Sequence, residues 1–427
     1  MVKEVKLKKE LGLFQVTATG VGIIVGAGIY VLIGAAAGLG GNAVWISFLI
    51  AALVAVFSGL SYAEMSSIFP KDEGEYAYVK KPINKFWAFM TAYMLVLGSI
   101  ISTAAVGLGF AGYFSNLFGF NHLILIAILA IAFFSLVNFY GIKASITMNI
   151  IFTFFAVGGL LLIIFLGFGV LGDVNLLEMS PHGLGGVFEA AALIFFAFIG
   201  FEAIVKLAEE TKHPRHVVPM ALLLSIIITT VLYVLVAISA VSLIGWEVLS
   251  ASSAPLADVA SSVFGAKTFF VMSIIALFAT GSTLLIILIT NSRILYGLGH
   301  QIPQLKFLSK VHKTRRTPWV AVLFAMLLSF IFLVFGKIET IAEIANFGIF
   351  FAFFMVNVSL IFLRYKAPNI KRKFKSPLNI GKFPVLALLG AIVSLFMLFN
   401  LAFKVLLAGF GFFFLGMVIY WVTKKFH

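Results

Sequence analysis

Between residues 13 and 423 the chain is a succession of apolar runs, separated by short segments that hold nearly all of its lysines and arginines. Each run is roughly twenty residues or more, the length at which a helix crosses the hydrocarbon of a bilayer. Inside lipid a segment must satisfy its own backbone, so only helices and closed barrels span. A barrel would alternate apolar and polar residues in segments of about ten, whereas these runs are continuous. The sequence therefore predicts an all-α polytopic membrane protein. With 62% hydrophobic and 11% charged residues, the chain is far from the roughly 25% charge of soluble domains.

Twelve spans are predicted, at about 13–37, 42–68, 86–112, 121–140, 145–170, 184–208, 217–241, 267–297, 317–336, 340–363, 383–403 and 405–423. If the N-terminus is cytoplasmic, the inner segments and inner span ends hold 27 of the 30 Lys and Arg residues, leaving out only Lys267, Lys337 and Lys404. One span more or fewer would invert every later loop and destroy that bias, which fixes orientation in membranes. The expected location is the cell membrane, multi-pass, with both termini cytoplasmic. The net charge of +14 lies in these inner clusters, where it sets topology and meets anionic lipid, so no nucleic-acid partner is expected. There is no cysteine, hence no disulfide framework or thiolate site, and no cleavable signal is evident. The outer segment Ser242–Ala266 contains a stretch that suits a short amphipathic helix. No linker divides the chain, so residues 1–427 are taken as one domain with an internal repeat.

Span 1 carries Gly20-Val21-Gly22-Ile23-Ile24-Val25-Gly26-Ala27-Gly28-Ile29-Tyr30. Each glycine costs about 1 kcal/mol relative to Ala inside a helix. One use of that cost is a break at Val25–Gly28 that frees amides and carbonyls at mid-membrane; the other is close helix packing through small residues. Span 6 repeats the theme in Phe195-Phe196-Ala197-Phe198-Ile199-Gly200-Phe201-Glu202. Spans 1 and 6 open two five-span units, and an odd number of spans inverts the second unit. Matching interruptions in inverted halves point to a transporter site. There the amides of one half-helix face an anionic group and the freed carbonyls face a cation, an arrangement suited to a zwitterion.

Few other residues can carry chemistry. Glu202 sits deep in a span, where a carboxylate is expensive and faces a cavity or a partner; binding a proton, ordering the break and pairing with a polar neighbour are all open. Glu64, nearer the inner end of span 2, reads as a structural hydrogen-bond partner. Lys206, Glu209 and Glu210 are spaced for helical i,i+3 and i,i+4 contacts, either as a solvated helix end or as an inner gate. Thr280-Gly281-Ser282-Thr283 places hydroxyls in span 8, where Ser282 and Thr283 would either coordinate Na⁺ or bond their own helix. The histidines lie in loops or tails, and no metal site is expected. No cofactor is expected beyond a coupling ion, H⁺ or Na⁺. Membrane enzymes of lipid-phosphate chemistry would need acidic clusters for Mg²⁺ or His/Asp constellations, which are missing from the sequence. A proton-channelling subunit would need ionisable groups through several spans.

Taken together, Leu11-Gly12 through Gly26-Ala27-Gly28-Ile29-Tyr30, Tyr62-Ala63-Glu64-Met65-Ser66-Ser67-Ile68-Phe69-Pro70 with Gly74-Glu75-Tyr76, and Phe201-Glu202 through Glu209-Glu210-Thr211-Lys212-His213-Pro214-Arg215 with Pro219 resemble the amino acid–polyamine–organocation transporter superfamily. Ser292-Arg293-Ile294-Leu295-Tyr296 and Arg316-Thr317-Pro318 extend the resemblance over the whole chain. It implies a LeuT-like 5+5 inverted repeat, residues 13–170 and 184–363, with two C-terminal helices at 383–423, working by alternating access. It also implies that the amides of Gly26, Ala27 and Gly28 take an α-carboxylate, and that carbonyls near Ile24, Phe196, Ala197 and Ile199 take an α-ammonium. Phe196 would be an aromatic lid and Ile286 would line the side-chain pocket. Proton-coupled relatives resembling the cationic amino acid transporters carry a lysine midway along span 5. Here Gly141-Ile142-Lys143 is present, but the deeper position reads Phe155-Ala156-Val157, leaving Glu202, Na⁺ at span 8 or uncoupled exchange. Pocket positions without a fixed countercharge favour a neutral apolar L-amino acid over a cationic amino acid or polyamine. A sensor that keeps the fold without transporting is the alternative of another class.

Overall fold

The computed structural model describes residues 11–69, 74–209, 211–301 and 303–425. It is all-helical apart from a two-stranded hairpin, Asn379–Ile380 with Phe383–Pro384. Among the described residues nine helices are long and apolar enough to cross a membrane, and Leu13–Ile24, Trp319–Phe335 and Val385–Phe399 are shorter apolar helices. The helices overrun the expected spans: α5 (Lys85–Phe118), α9 (Pro214–Ala251) and α11 (Ala266–Gln301) each extend past the apolar run that predicted them. Local chemistry sets those ends. The Asn84 side chain accepts from the Trp87 amide to start α5, at 3.0 Å, an N-cap that relieves an orphan donor. Pro214 opens α9 where its missing N–H costs nothing.

The segment expected to hold a short amphipathic helix forms α10 (Pro255–Phe264), with Leu256, Ala257, Val259 and Ala260 buried and Ser262, Val263 and Phe264 exposed. Two elements were not foreseen: the short helix α4 (Gly74–Lys80) and the hairpin. Both lie in segments too short and polar for a periodicity to declare itself.

Five helical pieces position the site. Residues 13–40 wind as α1 (Leu13–Ile24) and α2 (Ala27–Gly40), separated at Val25 and Gly26. Residues 183–209 wind as α8 (Gly183–Ile194), a 3-10 turn at Phe195–Phe198, an interruption at Ile199–Gly200, and a second 3-10 stretch, Phe201–Glu209. Gly200 has φ +113°, a conformation open to glycine and rarely to residues with a Cβ. The expected α-helix after Gly200 is thus replaced by the tighter 3-10 form. Aromatic rings clamp both sides of this interruption. Phe195 meets Phe350 at 4.8 Å between centroids, and Phe201 meets Phe353 at 5.1 Å, both partners lying on α13 (Ile338–Lys366). The Lys212 amide donates to the Leu11 carbonyl at 2.8 Å, tying the start of one broken rod to the end of the other.

Candidate functional site

The two interruptions meet. A Cβ built on Gly28 would lie 2.3 Å from Ala197 Cα and 2.8 Å from its nitrogen, so backbone approaches backbone at a distance only glycine permits. On the opposite side, the Tyr233 hydroxyl on α9 lies 2.8 Å from the Ile24 carbonyl and 3.1 Å from the Ala197 carbonyl. One buried proton donor is thereby shared between the freed C-terminal ends of both interrupted rods. Asn346 on α13 adds a second clip, donating from Nδ2 to the Ala192 and Leu193 carbonyls at 2.7 and 3.0 Å. These are the orphan acceptors that a helix end leaves when no further turn follows.

At the start of α2 the Ala27 amide donates to Thr283 Oγ1 at 2.9 Å, and Thr283 in turn donates to the Ala279 carbonyl at 3.0 Å. The amides of Gly26 and Gly28 have no acceptor among the described residues. An N-terminal half-helix with two free donors and a favourable dipole is suited to an anionic group. Carbonyls and amides thus gather at one depth, facing from four elements.

The residues singled out by sequence fall as follows. Ile24, Gly26, Ala27, Gly28, Ala197 and Ile199 lie at the interruptions themselves. Phe196 is buried and shares a narrow apolar crevice with Ala27, Val31, Leu32, Ala105, Val106 and Ile338. Ile286 is half-buried and follows Thr283 by three residues, so it shares that face of α11. Ser282 is buried and donates to Ala279 of its own helix at 3.3 Å, the self-satisfied arrangement usual for helical Ser. Thr283, by contrast, reaches across to α2. Glu202 accepts from the Gly200 amide through Oε2 at 2.9 Å, so of the three roles left open by sequence the geometry displays the ordering of the break. The side chains of Lys206 and Glu209, and the whole of Glu210, lie outside the described residues.

Tyr233 and Asn346 escaped the sequence reading. A single Tyr or Asn in a long apolar run carries no local pattern, and what singles them out is a carbonyl more than thirty residues away. Replacing Tyr233 by Phe leaves two buried carbonyls short of a donor, which costs about 1–3 kcal/mol. A lowered thermal unfolding midpoint in detergent is the expected result.

Glu64 lies near the C-terminal end of α3 (Val44–Ile68) and is fully buried. It accepts from Arg364 Nε and Nη2, both at 2.6 Å, and from the Ser376 amide at 2.9 Å, while Arg372 Nε stands 3.3 Å away. This bidentate pair joins α3 to the end of α13, in keeping with the structural role expected for Glu64, although nothing local in the sequence named Arg364 as its partner.

Comparison with known proteins agrees with this architecture. The amino acid permease family model matches residues 11–423. The chain is 30% identical to the branched-chain amino acid permease BcaP of Bacillus subtilis, over 99% of this chain and 95% of that protein. It is 28% identical to the methylthioribose transporter of the same organism, over 93% of this chain and 90% of that one. It is also 29% identical to cationic amino acid transporter 4 of Mus musculus, over 85% of this chain and 61% of that longer protein.

Proposed function

The chain belongs to the amino acid permease family, and on that premise we propose that it moves a neutral, apolar L-amino acid by alternating access, held between the two helix interruptions. It is an integral membrane protein of a family of permeases, not an enzyme. The observation that carries the reading is the pairing at one depth of free amides at Gly26 and Gly28 with carbonyls at Ile24 and Ala197 that share a single hydroxyl donor. An α-carboxylate suits the first set and an α-ammonium the second.

Twelve crossings, with cytoplasmic termini and units at 13–170 and 184–363, accommodate this site. The 42-residue stretch Ala27–Ile68 turns at Gly41, φ +70°, into the end of one crossing and the whole of the next, and the three shorter apolar helices complete the count. Each interruption then falls in the first crossing of its unit.

The apolar crevice beside Ala27 and Phe196 supports a neutral side chain, because a buried cation would need a countercharge and every residue lining the crevice is apolar. The name of the Bacillus subtilis branched-chain relative points the same way. The crevice is nowhere wide enough for a water molecule, so helices must part before a substrate enters, as alternating access requires.

Purified protein in liposomes is expected to take up labelled L-isoleucine, L-leucine or L-valine, and to ignore L-arginine and L-lysine. Uptake of arginine in preference to leucine would assign the cationic class instead, and specific binding without uptake would assign a sensor. Coupling is read in the same assay. Glu202→Gln keeps an oxygen acceptor for the Gly200 amide, so fold and binding should persist while the titratable group at this interruption is gone. The variant is expected to show an altered pH dependence of uptake; an unaltered pH profile would remove Glu202 from coupling and leave Na⁺ or exchange.

A further inference from the structure

The segment that follows α13 has two faces. From residue 371 to 376 the chain bends at Lys373 and Phe374, and exposed side chains alternate with covered ones. Arg372, Phe374 and Ser376 turn inward. The Arg372 guanidinium donates to the Ala367 and Pro368 carbonyls at 3.0 and 2.9 Å, closing the end of α13, Ser67 Oγ donates to the Phe374 carbonyl at 3.4 Å, and Ser376 donates its amide to Glu64. Lys371, Lys373 and Lys375 turn outward and are exposed. The hairpin that follows presents Lys382 at its tip, with Leu378 67% and Ile380 75% exposed.

That outer face has a specific composition: four lysines in a row or at a turn, no carboxylate between residues 365 and 384, and two large apolar side chains with nothing over them. The segment is anchored by its inner face to the buried Glu64–Arg364 pair, so it cannot drift from the apolar helices on either side, α13 and α14 (Val385–Phe399). Juxtamembrane lysines are attracted to anionic headgroups, and exposed apolar residues beside them insert at the headgroup boundary. We propose that residues 371–382 form a strap whose outer face docks on anionic phospholipid headgroups, with Leu378 and Ile380 seated in the interface. The strap is pinned from within by Glu64 and held from without by lipid.

The absence of cysteine from the sequence makes the test direct. Ile380→Cys is labelled with a fluorophore, and the full-length protein is placed in nanodiscs of equal parts phosphatidylcholine and phosphatidylglycerol. Quenching is compared between spin-labelled phosphatidylglycerol and spin-labelled phosphatidylcholine at the same mole fraction. Each lysine near an anionic surface contributes about fivefold in association, so the anionic lipid is expected to quench several-fold more strongly. The excess should vanish when Lys371, Lys373 and Lys375 are all replaced by Gln, and it should shrink as salt is raised on the unsubstituted strap, a readout that no folding defect can imitate. Equal quenching by the two lipids with all lysines in place would overturn the proposal. So would quenching by aqueous iodide alone, which would put the hairpin tip in water.

Discussion

Gly28→Ala is expected to weaken specific amino acid binding sharply while leaving a folded, membrane-inserted protein. The added methyl would sit 2.3 Å from Ala197 Cα and 2.6 Å from its Cβ. Backbone cannot swing aside as a long side chain can, so the two interruptions must separate. Overpacking of this kind costs about 1–3 kcal/mol even where neighbours yield. Because the strain falls on the very contact that sets the distance between the amides and the carbonyls, affinity should drop by roughly fivefold to a hundredfold. The control is Gly158→Ala, at a position in a span where no atom lies within 4 Å of the added carbon; it should bind as wild type. Equilibrium binding of a labelled amino acid to both variants, with size-exclusion profiles to verify folding, decides the matter. Wild-type affinity in Gly28→Ala would mean that the substrate does not sit between these rods.

Glu64→Gln is expected to be the most destabilising single change at the junction of α3 and α13. Arg364 is 3% exposed, and removing the carboxylate strands its charge, along with that of Arg372, in a site with little water. Breaking a buried pair from one side costs about 3–5 kcal/mol, whereas replacing both partners with apolar groups is often neutral. Thermal unfolding of Glu64→Gln in detergent should therefore show a large drop, much of it recovered when Arg364→Met is added. An equal or greater loss in the double variant would show that the pair itself, rather than the stranded charge, supplies the stability.

How much of this was readable in the sequence depends on the range of the signal. Both interruptions were visible because the feature that makes them, glycine clustered in an apolar run, is local: Gly26 and Gly28 in one span, Gly200 between Phe198 and Phe201 in another. The helical fold was equally plain from run length. The partners of those interruptions were not. Tyr233 meets Ile24 across more than two hundred residues, Thr283 meets Ala27 across 256, and Arg364 meets Glu64 across 300; each is an ordinary residue until the tertiary structure delivers it. Ser282 and Thr283, adjacent and alike, differ in role only because a helix turns them in different directions. The alternation of Lys371, Arg372, Lys373, Phe374 and Lys375 was likewise hidden, since a run of mostly polar residues shows no periodicity until one face is seen to be buried.

The most direct measurement is competition for binding of labelled L-isoleucine by analogues that lack one end of the zwitterion. Isoleucine amide keeps the ammonium and loses the carboxylate; the corresponding 2-oxo acid does the reverse. If the free amides at Gly26 and Gly28 and the carbonyls at Ile24 and Ala197 grip opposite ends of one molecule, neither analogue should displace the label at concentrations where unlabelled isoleucine displaces it fully. Full displacement by either one alone would contradict the paired-interruption site.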